Sequence, residues 1–186
     1  MKREEIIAKL KKTLDQERFQ HSLRVEKTAL QLAKKYRVSS AKTSLAALLH
    51  DCARRFSRPQ MLRQARRRKI KIGPIQQEEP KLLHAELSAM LASSEFGVGS
   101  AEILSAIKKH TTGSPKMTKL EKIIYLADHI EEGRNFKGVK ALRRLAFSGL
   151  DKAVLESASN MLKYLLDAGL PIYYGTLKTR NYYLLK

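Results

Sequence analysis

Apolar residues in this chain recur at intervals of three and four, and no segment alternates over the length of a strand. That period limits the fold to helices packed on helices. Ile6, Ile7, Leu10 and Leu14 predict a first helix over 3–14. Val25, Ala29, Leu32, Ala33 and Tyr36 predict a second over 18–36. Ser39 and Ser40 interrupt the pattern, with a serine placed to cap a helix over 41–55. Further helices are expected over 58–69, 81–95, 100–110, 117–132, 138–147 and 150–168, with Pro59 suited to a first turn. Gly97, Gly113, Gly133, Gly149 and Gly169 punctuate their ends. The segment 70–80 carries Gly73, Pro74 and Pro80 and reads as a loop. The expectation is an all-α fold, a single domain over 1–186 whose helices surround a central site. A chain of 186 residues is long enough to bury a core of that kind.

No apolar run approaches the ~20 residues that span a bilayer, so no membrane partner is expected. The Met1-Lys2-Arg3-Glu4-Glu5 start lacks the apolar stretch of a signal peptide. The lone Cys52 excludes an internal disulfide and fits a reducing, cytoplasmic setting. Lysine and arginine total 37 against 18 acids, a formal charge of +19 that attracts polyanions. Six of the nine residues from Arg63 to Lys71 are basic: Arg63, Arg66, Arg67, Arg68, Lys69 and Lys71. Such a cluster is most often a solvated face. Nucleotides, RNA or a ribosome surface all suit it, and the charge alone chooses none of them.

The chemistry is concentrated where apolar helices end in polar residues. His50-Asp51 follows Leu45-Ala46-Ala47-Leu48-Leu49, and Asp128 follows Ile123-Ile124-Tyr125-Leu126-Ala127. A polar pair buried at such a place costs several kcal/mol unless it is partnered. A bound cation supplies that partner, because neutral imidazole and ionised carboxylate both coordinate metals. His21, one turn before Val25, lies on the core side of its helix. His21, His50, Asp51 and Asp128 are therefore the candidate metal ligands. Their nitrogen and oxygen donors suit iron, manganese, cobalt or zinc, and a thiolate site is excluded by the single cysteine. His50 and Asp51 are neighbours about 100° apart around a helix. Their convergence is expected to rest on unequal side-chain length near the helix end.

The order His, His-Asp, Asp resembles the HD superfamily of metal-dependent phosphohydrolases. Within it, the chain is most similar to the symmetrical diadenosine-tetraphosphate hydrolases, the YqeK family. The similarity rests on Arg18-Phe19-Gln20-His21, Leu48-Leu49-His50-Asp51, Leu83-His84-Ala85, His110-Thr111-Thr112-Gly113, Ala127-Asp128-His129-Ile130-Glu131 with Gly133-Arg134-Asn135-Phe136, and Thr179-Arg180-Asn181-Tyr182. Ser88 departs from a usual glycine and Glu132 from a favoured proline. Ile172-Tyr173-Tyr174-Gly175 replaces a more polar stretch. The resemblance implies an all-helical fold, bound iron or a similar metal, and a dinucleoside polyphosphate or purine nucleotide as substrate. It implies symmetrical cleavage of diadenosine tetraphosphate to two ADP.

By the same resemblance, Arg18, His84, His110, Thr111, Thr112 and Arg134 line the phosphates or nucleotide. Asp51, His84 and His110 take the catalytic roles. Asp51 holds the metal and orients a water whose pKa the metal lowers. Arg18 and Arg134 neutralise phosphate oxygens, to which planar guanidinium is well matched. His84 and His110 contact phosphate in the favoured assignment, and a second metal in the other. His129 is assigned a structural or exposed role. Tyr164, Tyr173, Tyr174, Tyr182 and Tyr183 are expected in the core or at an interface, a homodimer contact being one use for them. Two other functions stay open at this point: an HD-type nucleotide phosphatase, and an RNA phosphodiesterase or RNA-binding protein using the basic surface.

Overall fold

In the computed structural model, which describes residues 1–186, the chain folds into eleven α-helices and two short 3-10 turns, with no strand. The helices are α1 (Arg3–Thr13), α2 (Gln16–Tyr36), α3 (Ser40–Leu49), α4 (Arg58–Arg67), α5 (Pro74–Glu78) and α6 (His84–Phe96). They continue with α7 (Ala101–Lys109), α8 (Lys119–Ile130), α9 (Val139–Ser148), α10 (Leu150–Asp167) and α11 (Tyr174–Leu184). No helix is long and apolar enough to cross a membrane.

Local chemistry explains the boundaries. Asp15 caps α2 by accepting a hydrogen bond from the Arg18 amide at 2.7 Å, and Ser39 caps α3 through the Lys42 amide. Thr118 and Glu121 form a reciprocal capping box at the start of α8. The longest early helix, α2, turns a stripe of Phe19, His21, Val25, Ala29, Leu32 and Ala33 inward. It packs against α3 and α8, while α7 joins α6 and α8, and α10 seats α9 and α11. One continuous apolar core runs from Ile6 through Leu48, Leu91 and Ile124 to Tyr183. The functional histidines and aspartates stand on α2, α6 and α8 and at the ends of α3 and α7, around its centre.

Three expectations are corrected. The helix anticipated over 41–55 stops at Leu49, and a 3-10 turn, Cys52–Arg55, follows the His50-Asp51 pair. The supposed loop at 70–80 contains the one-turn helix α5, which Gly73 opens by donating its amide to Gln76 Oε1 at 2.8 Å. The chain past 168, where no helix was assigned, forms α11. Its buried side chains are Thr176, Thr179 and Tyr183, so the apolar stripe that marks other helices is missing. Tertiary hydrogen bonds replace it. Thr179 Oγ1 donates to the Thr112 carbonyl at 2.9 Å, and the Tyr183 hydroxyl accepts from the Met117 amide at 3.1 Å.

Gly113 makes this clasp feasible. Its φ is +66°, and a Cβ there would lie 2.6 Å from Thr179 Cγ2. Gly97 ends α6 at a similar φ of +71°, but a Cβ there would meet open space. Gly97→Ala should therefore cost only the left-handed penalty of about 1–2 kcal/mol. Gly113→Ala should cost that plus the strain of an overpacked contact, about 1–3 kcal/mol more. Urea unfolding of the two variants checks the difference, and equal losses would contradict the proposed clasp.

Candidate metal centre

Four imidazoles converge on one buried carboxylate. The chain leaves helical geometry right after His50: His50 keeps αR dihedrals, whereas Asp51 has φ −111° and ψ 15°. This bend aims both side chains into the core. Unequal side-chain length, the reason expected for their convergence, is not needed. Ser88, where the resemblance favours glycine, secures the bend: its Oγ accepts from the Ala53 amide at 3.0 Å. Cys52 packs against the Ser88 carbonyl, and burial pushes its thiol up to about 12, so it contributes no thiolate.

Asp51 has two distinct faces. Its Oδ2 accepts from Arg18 Nη1 at 2.8 Å and lies 3.7 Å from His50 Nε2 and 3.9 Å from His21 Nε2. His21 Nε2 is also 3.1 Å from Asp128 Oδ1. Its other oxygen, Oδ1, faces His84 Nε2 at 3.2 Å and His110 Nε2 at 3.5 Å. Oδ1 is buried without a hydrogen-bond partner. An ionised oxygen in that condition is costly.

The tautomers follow from the far side of each ring. A carbonyl can only accept, so Nδ1 of His50 donates to Ala47 O at 2.6 Å and Nδ1 of His110 to Ile107 O at 2.7 Å. Nδ1 of His84 donates to Lys81 O. Nδ1 of His21 faces the Glu131 carboxylate at 3.2 Å. In the neutral rings the Nε2 lone pairs then point inward, at one another: 3.3 Å separates those of His21 and His50, and 3.0 Å those of His84 and His110. Facing lone pairs repel unless a positive charge lies among them. The donor set therefore fits divalent cations, and the imidazoles are oriented as metal-bound histidines are, with the second nitrogen tied down.

His50 and the two carboxylates are held in the forms that bind a cation, while His110 is drawn toward its charged form by the carboxylates. Burial pushes His50 down to about 4, against the pull of Asp51, so it is a neutral ligand at neutral pH. Burial raises the Asp51 carboxyl, but the imidazoles of His50, His110 and His84 outweigh it and hold the carboxyl well below its usual range. Asp128 behaves likewise, with His21 and Arg134 outweighing burial. Burial lowers His110, and Asp51 and Asp128 more than restore it, leaving the pKa raised.

Glu131 is the residue that sequence reasoning missed, although it stood in a quoted motif. Its side chain is 2% exposed; Oε1 meets His21 Nδ1, and Oε2 accepts from Arg24 Nε at 2.7 Å and the Gly133 amide at 2.5 Å. Gly133 has no side chain because a Cβ would sit 2.8 Å from that Arg24 Nε. Arg143 holds the same turn by donating to the carbonyls of Ile130, Glu131 and Arg134. The sequence shows only an acid just past the last turn of an apolar helix; its partner His21 lies 110 positions away, so the role of Glu131 is not local. Glu132, at the position of a favoured proline, pairs with Lys27 on the surface and leaves the site untouched.

A cavity of about 480 Å³ opens onto the cluster. Its polar lining is Asp51, His84, Thr111 and Asp128 with the guanidinium groups of Arg18, Arg54 and Arg134. Arg134 reaches Asp128 Oδ1 at 2.5 Å. Phe136, Leu142, Met161 and Tyr164 supply apolar wall, and Ser157 and Asn160 also line it. Arg54, Phe136, Ser157, Asn160 and Met161 were not anticipated: Ser157, Asn160 and Met161 share one face of α10 with Tyr164, and nothing local says that this face, the Arg54 turn and Phe136 meet at one cavity. His129, assigned a structural or exposed role, binds the Tyr125 carbonyl through Nδ1 at 2.7 Å and also lines this cavity. Tyr164 is 59% exposed and stands at the cavity rim rather than in the core, whereas Tyr183 is buried. Of the predicted residues, His110 lies fully behind His84, away from the cavity surface. Thr112 is the one that does not join the site: it lines a different, smaller cavity.

The family model for the HD domain matches residues 18–133, from Arg18 through Gly133. The chain belongs to the HD domain family. This HD protein is similar, at 37% identity over 98% of its length and 97% of the other's, to a Bacillus subtilis (strain 168) protein named bis(5'-nucleosyl)-tetraphosphatase, symmetrical. A protein of the same name from Halalkalibacterium halodurans is 39% identical over all of this chain and 99% of that one. A crystal structure from Clostridium acetobutylicum, described as a predicted HD superfamily hydrolase involved in NAD metabolism, superposes with a TM-score of 0.95 at 37% identity, covering 100% of this chain and 98% of that one. The all-helical HD fold expected from the sequence is thus observed.

Metal content should follow the hydrogen-bond hierarchy of this HD site. Asp51→Ala removes the carboxylate between the two imidazole pairs and should abolish stoichiometric binding. Glu131→Ala leaves every inward-facing donor but frees His21, and should weaken affinity about 10–100-fold. Elemental analysis of the folded variants after dialysis against a metal buffer measures both, and retention of wild-type content by both would refute the assignment.

Proposed function

We propose that this chain is a metal-dependent hydrolase that cleaves diadenosine tetraphosphate symmetrically, with addition of one water, to two ADP. The observation that carries the proposal is the buried His/Asp cluster at a cavity lined by three arginines and by apolar side chains. The names of the full-length relatives supply the substrate.

His21, His50, Asp51 and Asp128 are the proposed ligands of one metal. His84 and His110, facing the free Asp51 oxygen, are better placed for a second metal than for phosphate contact. The imidazole and carboxylate donors suit iron, manganese, cobalt or zinc, and the family resemblance favours iron. When bound, such a metal supplies Lewis-acid stabilisation and lowers the pKa of water toward neutrality.

The protein's own groups do the rest. Arg18 and Arg134 are each held by a site carboxylate, so their remaining N–H groups are pre-positioned for phosphate oxygens. Arg54 adds a third positive charge to the same lining. Charge on the phosphoryl oxygens grows during transfer, and fixed guanidinium groups stabilise it without reorganising. Phe136, Met161 and Tyr164 offer an apolar seat for the base, and Ser157 and Asn160 offer it hydrogen bonds. Thr111 Oγ1, 3.1 Å from the Nε2 atoms of both His84 and His110, contacts the polyphosphate where it crosses the cluster. The basic segment from Arg63 to Lys71 speeds capture of the anion through long-range attraction. The buried thiol of Cys52 suits a cytoplasmic, reducing setting.

The products decide the matter. Metal-replete protein incubated with diadenosine tetraphosphate should yield ADP alone by anion-exchange chromatography, and chelation should stop the reaction. AMP and ATP in equal amounts would refute the symmetrical mechanism. Inertness toward this substrate with cleavage of short RNA would move the function to RNA.

A further inference from the structure

The site just proposed accommodates one half of a symmetrical substrate, and the fold contains a place for the other. A second cavity, of about 130 Å³, lies on the far side of Thr111 and Met161, and both residues line the two cavities. We propose that it receives the nucleoside of the departing half of a dinucleoside polyphosphate. The inference rests on the functional reading above and extends it to a second nucleoside subsite.

Its lining argues for a nucleoside and against phosphate. The main cavity carries three arginines, whereas no cation lines the second one, in a chain of charge +19. A phosphate there would be drawn from water with no cation in the lining, since the nearby Arg58 is already engaged by Glu79. The walls are instead apolar: Leu82, Leu165, Leu170, Pro171 and the ring of Tyr173. A flat heterocycle gains by burial against such groups and can stack on the tyrosine. The Tyr173 ring is held in place by its approach to Gly175, where a Cβ would sit 2.9 Å from Tyr173 Cε1 and 3.2 Å from Thr112 Oγ1.

The one charged group is Glu79. Its carboxylate is fixed by Arg58 and by the Lys81 amide. Carboxylates beside nucleotide sites accept hydrogen bonds from ribose hydroxyls, and an exocyclic amine can serve equally as donor. A negative charge here repels phosphate and accepts from a nucleoside.

Position supplies the remaining argument. Thr111 Oγ1 touches the imidazoles of His84 and His110, so the wall shared by the cavities is also the edge of the metal cluster. A polyphosphate crossing the cluster from the main cavity leads past Thr111 toward the second. The two nucleosides would then flank the central phosphoric anhydride, which is the bond whose cleavage leaves equal halves. Tyr173, within the segment 172–175 that departs from the related sequences, forms part of this wall. Leu170 is 43% exposed, so its replacement does not disturb the core.

The test compares diadenosine tetraphosphate with adenosine 5'-tetraphosphate, which has the same number of phosphates and lacks the second nucleoside. Leu170→Asp places a charge in the cavity, and Tyr173→Ala removes the stacking surface. Each should lower kcat/KM for diadenosine tetraphosphate about ten-fold relative to kcat/KM for adenosine tetraphosphate, with the loss carried by KM. Turnover of the mononucleoside substrate also reports that the variants are folded. Equal loss on both substrates, or no loss on either, overturns the second subsite while leaving the functional reading intact. Wild-type protein inert toward diadenosine tetraphosphate overturns both.

Discussion

The buried Asp51 carboxylate, shared between two pairs of imidazoles, sets the terms for the rest of the molecule. One of its oxygens faces His21 and His50, and the other faces His84 and His110. An anion in an apolar interior is tolerated only where positive charge is close. Arg18 supplies some of it, and a cation held by the inward Nε2 atoms would supply what Arg18 cannot reach. Each imidazole is turned by a hydrogen bond on its outer nitrogen, and those bonds come mostly from the carbonyls that end or precede helices. Helix termination and metal-ligand orientation are therefore one feature. The unpaired carbonyls that any helix end leaves over serve here to fix ring rotation.

This arrangement also explains how a strongly basic protein keeps an acidic centre. The carboxylates of Asp51, Asp128 and Glu131 are gathered at the core; Arg18 and Arg134 reach the first two from the cavity wall, and Arg24 pairs with Glu131 away from it. Inside, carboxylate is available for a cation. Outside, guanidinium is available for phosphate. The cavity thus presents opposite charges within a few ångströms, as hydrolysis of a phosphoric anhydride requires. Its uncharged lining, Phe136, Leu142, Met161 and Tyr164 with Ser157 and Asn160, fits the part of a nucleotide that carries no charge.

The C-terminal helix has a role in this beyond closing the core. Thr179 binds the Thr112 carbonyl, and Gly113 allows the close approach. The turn so held begins with His110 and Thr111, at the edge of the cluster. Residues far apart in the chain are in this way coupled through one packed contact, and the small cavity beside it borrows its walls from α10, the turn after it and the start of α11.

Much of the site was legible in the sequence, for a physical reason. Polar residues that end apolar helices must be paired, so His50, Asp51 and Asp128 declared themselves, and their order with His21 marked the family. The helical class followed from period alone. Where the sequence failed, the missing information was nonlocal. Helix α11 has no apolar stripe, because its inward residues are Thr176, Thr179 and Tyr183, and the hydrogen-bond partners of Thr179 and Tyr183 lie 67 and 66 positions earlier. The loop assigned to 70–80 hides a helical turn that its glycine and prolines start instead of prevent. The bend at Asp51, the role of Glu131 behind His21, the apolar wall of the cavity and the displacement of Thr112 into another one all depend on which helices meet. The sequence by itself determined the element type and the chemistry of the donors, since both are set within a few residues. The direction of each donor and the shape of the space above them were decided by tertiary packing, because those depend on contacts between helices that no local pattern encodes.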